Sequence, residues 1–235
     1  MRHAVRILMI LVIVASAAAA ADVDVATSTK AANDVAIDTN PASPFWSQAV
    51  PIFAEKDKNG GLLPGYRTEI RSRWTREYIY FLFICPYEEL FLKPGPDTKA
   101  ETNELWNWDV AEVFLGSDFT NIRRYKEFEI SPQGEWVDLD IDLSKPHHED
   151  GWKWNSGFQV SARIDQKTKI WYGAMKIPWS AFGESAPAAG KTFRINFFRG
   201  QGPLANKKEI TWQPTMSKTF HVPERFGLLR LTEHQ

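Results

Sequence analysis

The segment EWVDLDIDL, Glu135 to Leu143, alternates without a break: Val137, Leu139, Ile141 and Leu143 project to one side, Asp138, Asp140 and Asp142 to the other. A period of two belongs to a strand with one apolar face, and a helix would scatter those side chains around its axis. YRTEIRSRWT, DVAEVFLG, YKEFEISP, TFRINFFRG, EITWQP and FGLLRL read the same way. EYIYFLFIC is apolar on both faces, as a strand covered on both sides should be. FQVSARID and KIWYGAMKIP read as a hairpin joined through DQKT. No amphipathic helical pattern lasts three turns, and short helical turns are expected only at SPFWSQA and PWSAF. About ten short strands separated by Pro, Gly and Asn predict an all-β chain, an antiparallel β-sandwich of jelly-roll or immunoglobulin-like type.

The N-terminus has a different texture. Arg2 and Arg6 precede an apolar run from Ile7, and small residues follow at Ala19–Ala21, the arrangement of a cleaved secretory signal over residues 1–21. No Cys follows that run, which argues against a lipoprotein. Residues 22–42 are small and polar and read as a flexible tether, leaving 43–235 as one sandwich domain. The expected location is periplasmic or extracellular, with no membrane association after cleavage. The 28 basic and 29 acidic residues give a net charge of −1, about −3 without the two leader arginines, so nucleic acid is excluded as an electrostatic partner. Cys85 is the only cysteine, so no disulfide staples the fold. Embedded in YIYFLFIC, it reads as a small buried hydrophobe.

Carboxylates are available at Glu112, Glu127, Glu129 and along the Asp138 row, but acids that alternate on strands are expected on solvated faces. No catalytic residue is assigned on that ground. The run KPHHED packs His147, His148, Glu149 and Asp150 too closely along the chain to converge on one metal, and reads as a polar loop. Nucleophile elbows, phosphate loops and dinucleotide fingerprints are absent from the sequence. Three rival functions remain, one of them a purely structural or partner-binding sandwich. A xylanase-like glycoside hydrolase would need two carboxylates flanking a bond. A haem-binding electron-transfer sandwich would need axial ligands, for which Met175, Met216 and His221 are the available residues.

The aromatics are more informative. Trp74, Trp136, Trp171 and Trp179 lie in or beside strands and are expected to pack. Trp106 and Trp108 instead lie on the approach to a strand, in NELWNWDVAEVFLG, while Trp212, Phe220 and His221 occupy loop-like segments near the C-terminus. Loops on a rigid scaffold carry binding residues, and an aromatic face flanked by polar acceptors suits a pyranose ring with its apolar C–H face and hydroxyl edge. LWNWDVAEVFLG, with IRSRWTREYIYFLFIC, KIWYGAMKIPWSAFG and PERFGLLRL in matching order, resembles the family 9 carbohydrate-binding modules. In KIWYGAMKIPWSAFG, Ala174 and Met175 stand where that family commonly has an acid.

The resemblance implies a non-catalytic β-sandwich in which two aromatics clamp a terminal sugar of a plant polysaccharide or oligosaccharide such as xylan or cellulose. By position, Trp106 matches the first aromatic, Glu112 the sugar-binding glutamate and Phe220 the second aromatic, where the family has Trp. Asp109 would fix the loop, and Trp108 would pack. A basic ligand residue of the better-known modules falls near Glu129 here, a departure that bears on sugar specificity. Arg199, Trp212 and His221 are added as binding candidates from sequence position alone. No cofactor is implied beyond a structural calcium, for which no ligands are matched, and glycoside hydrolases are the implied protein partners.

Overall fold

The computed structural model describes residues 23–233; the expected signal segment falls outside the described residues. Twelve strands run along the chain: β1 (Val25–Lys30), β2 (Ile52–Ala54), β3 (Thr68–Trp74), β4 (Tyr78–Pro86), β5 (Val110–Gly116), β6 (Arg124–Ile130), β7 (Trp136–Asp142), β8 (Gln159–Asp165), β9 (Ile170–Pro178), β10 (Thr192–Gln201), β11 (Lys208–Thr211) and β12 (Gly227–Thr232). Every alternating segment singled out in the sequence is among them. Among the described residues the helical elements are short 3₁₀ turns. Those at Trp46–Gln48 and Trp179–Phe182 lie at the expected places; others, at Leu105–Asn107, His148–Lys153, Leu204–Asn206 and Pro223–Arg225, carry no such sequence signal.

The strands hydrogen-bond in the order β7-β6-β5-β10-β12-β1-β3-β4-β9-β8, with β11 added to β10 and β2 to β3. This ribbon turns back on itself. Ala111, Val113 and Leu115 of β5, Phe128 and Ile130 of β6, and Ile195 and Phe197 of β10 share one core with Phe81 and Phe83 of β4 and with Trp171 and Met175 of β9. Phe197 meets Phe81 edge-on at 5.6 Å between ring centroids. Each buried Val, Leu, Ile, Phe or Met among them contributes roughly 1.5–3 kcal/mol. Cys85 belongs to this core, and burial pushes its thiol up to about 12, which makes it inert as a nucleophile. Where β9 crosses β6 the backbones approach closely: a Cβ on Gly173 would lie 2.8 Å from the Trp171 ring and 3.0 Å from Ile130.

Two sequence expectations need correction. Residues 25–30, read as part of a flexible tether, form a strand in the middle of the ribbon. β1 runs parallel to both β12 and β3, so the sheet is mostly but not wholly antiparallel. Its small residues suit a crowded position: Ser28 is fully buried and accepts a 2.8 Å hydrogen bond from Ser72. The chain that follows is a strap over the outer face of β4, where Val35, Ile37, Phe45 and Trp46 cover Tyr80 and Leu82. Arg71 clasps it through the Pro41 carbonyl at 2.6 Å. This explains why EYIYFLFIC is apolar on both faces.

Asp138 also departs from expectation. The alternation of β7 holds, with Val137, Leu139 and Ile141 together in a second apolar cluster. The opposite face is not solvated at Asp138, which is buried and accepts from the Ser156 amide at 2.7 Å. Asp140 does reach the rim, paired with Lys126 at 2.7 Å.

Candidate functional site

Strand register puts three acids on one face. Glu112 of β5 sits opposite Glu129 of β6 and Phe198 of β10, and Phe114 sits opposite Glu127. Leu139 and Val137 of β7 flank Glu127 and Glu129 in turn. The result is a carboxylate patch inside an apolar face whose other members are Val110, Phe114, Tyr125, Leu139 and Phe198. The alternation in the sequence is correct. What differs from expectation is the surroundings: Glu112, Glu127 and Glu129 are only 3%, 3% and 0% exposed. Loops from distant parts of the chain roof this face, so it is a cavity floor and not a solvated surface.

The cavity has a volume of about 490 Å³, inside the range of small-ligand clefts, roughly 300–1,000 Å³. Trp106, Lys207, His148, Phe220 and His221 wall it over Glu112 and Glu127. Trp106 is carried by the turn Leu105–Asn107. Lys207, just before β11, ties that turn to the β10–β11 connection by donating to the Trp106 carbonyl and, at 3.0 Å, to the Trp108 carbonyl. Phe220 stacks on Phe198 with centroids 4.2 Å apart and planes within 9°. His221 lies over Phe114 at 5.2 Å, and its Nδ1 is 2.6 Å from the Tyr125 hydroxyl. Burial, and then the nearby His148, hold His221 down to about 3, so it is a neutral wall at physiological pH.

The electrostatics of the floor follow from burial. Desolvation pushes Glu127 up to about 8. Glu112 and Glu129 are raised well above the ordinary carboxylate range, by desolvation first and then by the neighbouring acids. Lys207 opposes this for both, while its own ammonium is lowered by burial. One oxygen from each of the three glutamates lies within 4.8 Å of the others. Glu127 Oε2 and both oxygens of Glu129 have no hydrogen-bond partner, a costly condition for buried polar atoms.

Asp109 lies behind the wall. Fully buried, it accepts from the Phe91 amide at 2.9 Å, the Gly202 amide at 2.6 Å and Gln201 Nε2 at 2.6 Å. It ties the long β4–β5 connection back on itself and to the end of β10, beside the Trp106 turn, and acts by position. Trp108 stacks on Phe91 at 4.8 Å and packs, as expected.

The other sequence candidates divide. Trp106, Glu112, Phe220 and His221 meet in the cavity, with Glu129 beneath them. Arg199 does not: it is fully buried on the opposite face of β10, donating to the Pro86 carbonyl at 2.7 Å and to Thr68 at 3.2 Å. Trp212 is also elsewhere, 5.7 Å from the Phe197 ring and pressed against Gly227. Both fall on the core face, which sequence position near the C-terminus does not reveal. Met175 lies in the first core and Met216 is exposed, so neither joins His221 as a haem ligand pair. Lys207, Phe114 and Leu204 line the cavity in addition to the sequence candidates. Phe114 is signalled by its place two residues after Glu112 on the same strand face; Lys207 carries no local signal.

An aromatic-walled, carboxylate-floored cleft on a nearly all-β fold defines a small-ligand-binding protein. The chain belongs to the carbohydrate family 9 binding domain-like family, whose model matches residues 37–234. An extracellular protein from Arthroderma benhamiae is 26% identical over 179 residues, 69% of this chain and 78% of that protein. The fold is shared with a family 9 carbohydrate-binding module from Caldicellulosiruptor kristjanssonii solved with cellotriose (TM-score 0.65, 10% identity, 90% of this chain and 95% of that one). A structure from the same organism with glucose gives a TM-score of 0.62 at 12% identity, covering 89% and 97%. No helix among the described residues is long and apolar enough to cross a membrane.

Proposed function

We propose that this chain is an exported, non-catalytic carbohydrate-binding protein that takes a plant-type saccharide, of cellulose or xylan character, into the cavity over β5 and β6. Trp106 and Phe220 are its aromatic walls, and Glu112 is the acceptor for sugar hydroxyls. The observation that carries this reading is that Trp106 and Phe220, 114 positions apart in the numbering, line one cavity with Glu112. The related modules crystallised with cellotriose and glucose support the ligand class. Export rests on the Arg2-to-Ala21 segment and on the extracellular relative.

Because the acids are buried, solvation is no ground for excluding catalysis. A different ground favours binding. Glycosidases place two carboxyls on either side of the scissile bond, whereas Glu112, Glu127 and Glu129 rise together from one floor on adjacent strands. Calorimetric titration of the mature chain with cello- and xylo-oligosaccharides tests the reading, with a reducing-sugar assay run alongside. Binding without released sugar is expected. Hydrolysis lost in Glu112→Gln would establish the glycosidase instead.

A further inference from the structure

The three floor glutamates are an expensive arrangement for hydrogen-bonding sugar hydroxyls alone. Like charges directly opposite on neighbouring strands destabilise a sheet, and Glu112 and Glu129 are directly opposite. Glu129 is fully buried and both its oxygens lack a partner, as does Glu127 Oε2. Lys207 supplies one positive charge nearby but gives two of its three donors to the Trp106 and Trp108 carbonyls. Among the described residues it forms no ion pair with the three acids.

We propose that Glu112, Glu127 and Glu129 are the ligands of a divalent cation, calcium by the chemistry of the donors, seated in the floor of the cavity. Three lines of geometry and charge converge on this. Oxygens bound to one calcium at about 2.3–2.6 Å stand no more than about 5 Å apart, and the three glutamate oxygens lie within 4.8 Å of one another. The donors are all carboxylate oxygens, a hard set that suits calcium, magnesium or manganese and not the softer metals. Three carboxylates with Lys207 leave two negative charges, which one divalent ion neutralises. The unpartnered oxygens then become ligands, and the ion offsets the desolvation that otherwise forces protons onto the acids.

Glu112 and Glu127 also line the cavity, so the ion is open on that side. Calcium takes six to eight oxygens, more than three carboxylates supply when each binds through one oxygen. The open positions face the aromatic walls, and a vicinal hydroxyl pair of a bound sugar ring would fill them in place of water. This last step rests on the function proposed above; the ion itself does not.

The test uses the mature chain, stripped with a chelator and titrated with calcium chloride by calorimetry at neutral pH, with thermal melts in parallel. One ion per chain is expected, with Tm rising several degrees at millimolar calcium, as binding to the native state alone requires. In the Glu127→Gln/Glu129→Gln double variant the rise should vanish while the metal-free Tm stays at or above that of the wild type, since buried carboxylates have been removed. That combination separates a lost ligand from a lost fold. Glu112→Gln serves as a second variant if the double one does not fold.

No heat and no shift in the wild type would overturn the site and leave protonation as the way the cluster is neutralised. A shift that persists in the variants would also overturn it by placing the ion elsewhere. Cello-oligosaccharide titrated with calcium or with chelator should bind at least tenfold more tightly with calcium. Equal affinity in both refutes the shared coordination of sugar and ion. Absence of saccharide binding in both defeats the proposed function, and the calcium isotherm still decides the metal site.

Discussion

Replacing Asp109 with alanine should unfold the wall of the cavity without touching its lining. The side chain is fully buried and accepts three hydrogen bonds, from the Phe91 and Gly202 amides and from Gln201 Nε2. Each donor left dry and unpaired costs roughly 1–3 kcal/mol. The three share one acceptor, so their costs do not add fully, and the expected loss is about 3–5 kcal/mol. Asparagine is a milder change. Turned to keep its oxygen toward Phe91 and Gln201, it presents an amide only to Gly202, for a loss of roughly 1–3 kcal/mol. Urea unfolding of wild type, Asp109→Asn and Asp109→Ala at pH 7 should rank them in that order. Saccharide affinity should fall in the same order, because the Phe91 segment that this side chain holds stacks on Trp108, two residues from Trp106. A loss below about 1 kcal/mol in the alanine variant would refute the accounting. Full stability with abolished binding would make Asp109 a direct ligand contact, contrary to its place behind the wall.

Other consequences are testable on the same material. Trp106→Ala should cost roughly 1–3 kcal/mol of saccharide binding with little change in Tm, because the ring is only half-buried and walls the cavity; calorimetric titration and melts check both. Phe220→Trp should hold or improve affinity, since the larger ring still has Phe198 to stack on; a loss of affinity would argue against the clamp. Gly173→Ala should destabilise by roughly 1–3 kcal/mol, because its Cβ has no room beside Trp171 and Ile130, and a denaturation midpoint equal to wild type would contradict the close crossing of β9 and β6. Burial first, and then Asp138, push Glu101 up to about 7. With the folded value above the unfolded one, the stabilisation is full below the ordinary glutamate range and is lost as pH rises through about 7. Glu127, pushed up to about 8, acts with the same sign, so the urea midpoint should decline between pH 5 and 8, and Asp138→Asn should lessen the decline without abolishing it, because burial is the larger cause at Glu101.

How much of the fold is legible in the sequence depends on what kind of information alternation carries. It gives the period and the partition of side chains between two faces, and both hold at Val137, Leu139 and Ile141 against Asp138, and at Tyr125, Glu127 and Glu129 against Phe128 and Ile130. It says nothing of small residues. VATSTK has the alternation of a strand but no bulky side chain, so a central parallel strand reads as a tether. What makes it a strand is β12, which comes from the far end of the chain to lie beside it.

The site is half legible for a related reason. Trp106, Glu112 and Phe220 can be placed because each belongs to a local motif whose order along the chain matches a known family. The floor cannot, because whether a strand face is wet is decided by what covers it. Glu127 and Glu129 are roofed by Trp106, Lys207, His148 and Phe220, which come from four separate loops. Their burial is a long-range property, and with it go the raised carboxyls, the unpartnered oxygens and the charge deficit that Lys207 leaves. Arg199 and Trp212 fail in the opposite direction: their residue types suit a sugar site, but the parity of β10 sends Arg199 inward with Ile195 and Phe197. Parity counted from Ile195 and Phe197, the apolar members of TFRINFFRG four and two positions earlier, turns Arg199 inward on the sequence pattern alone. The same count along β6, taken from Phe128, turns Glu127 and Glu129 outward together. Whether outward means solvent or cavity floor is the one step that local pattern cannot supply, because the roof is built from loops the strand never meets in sequence.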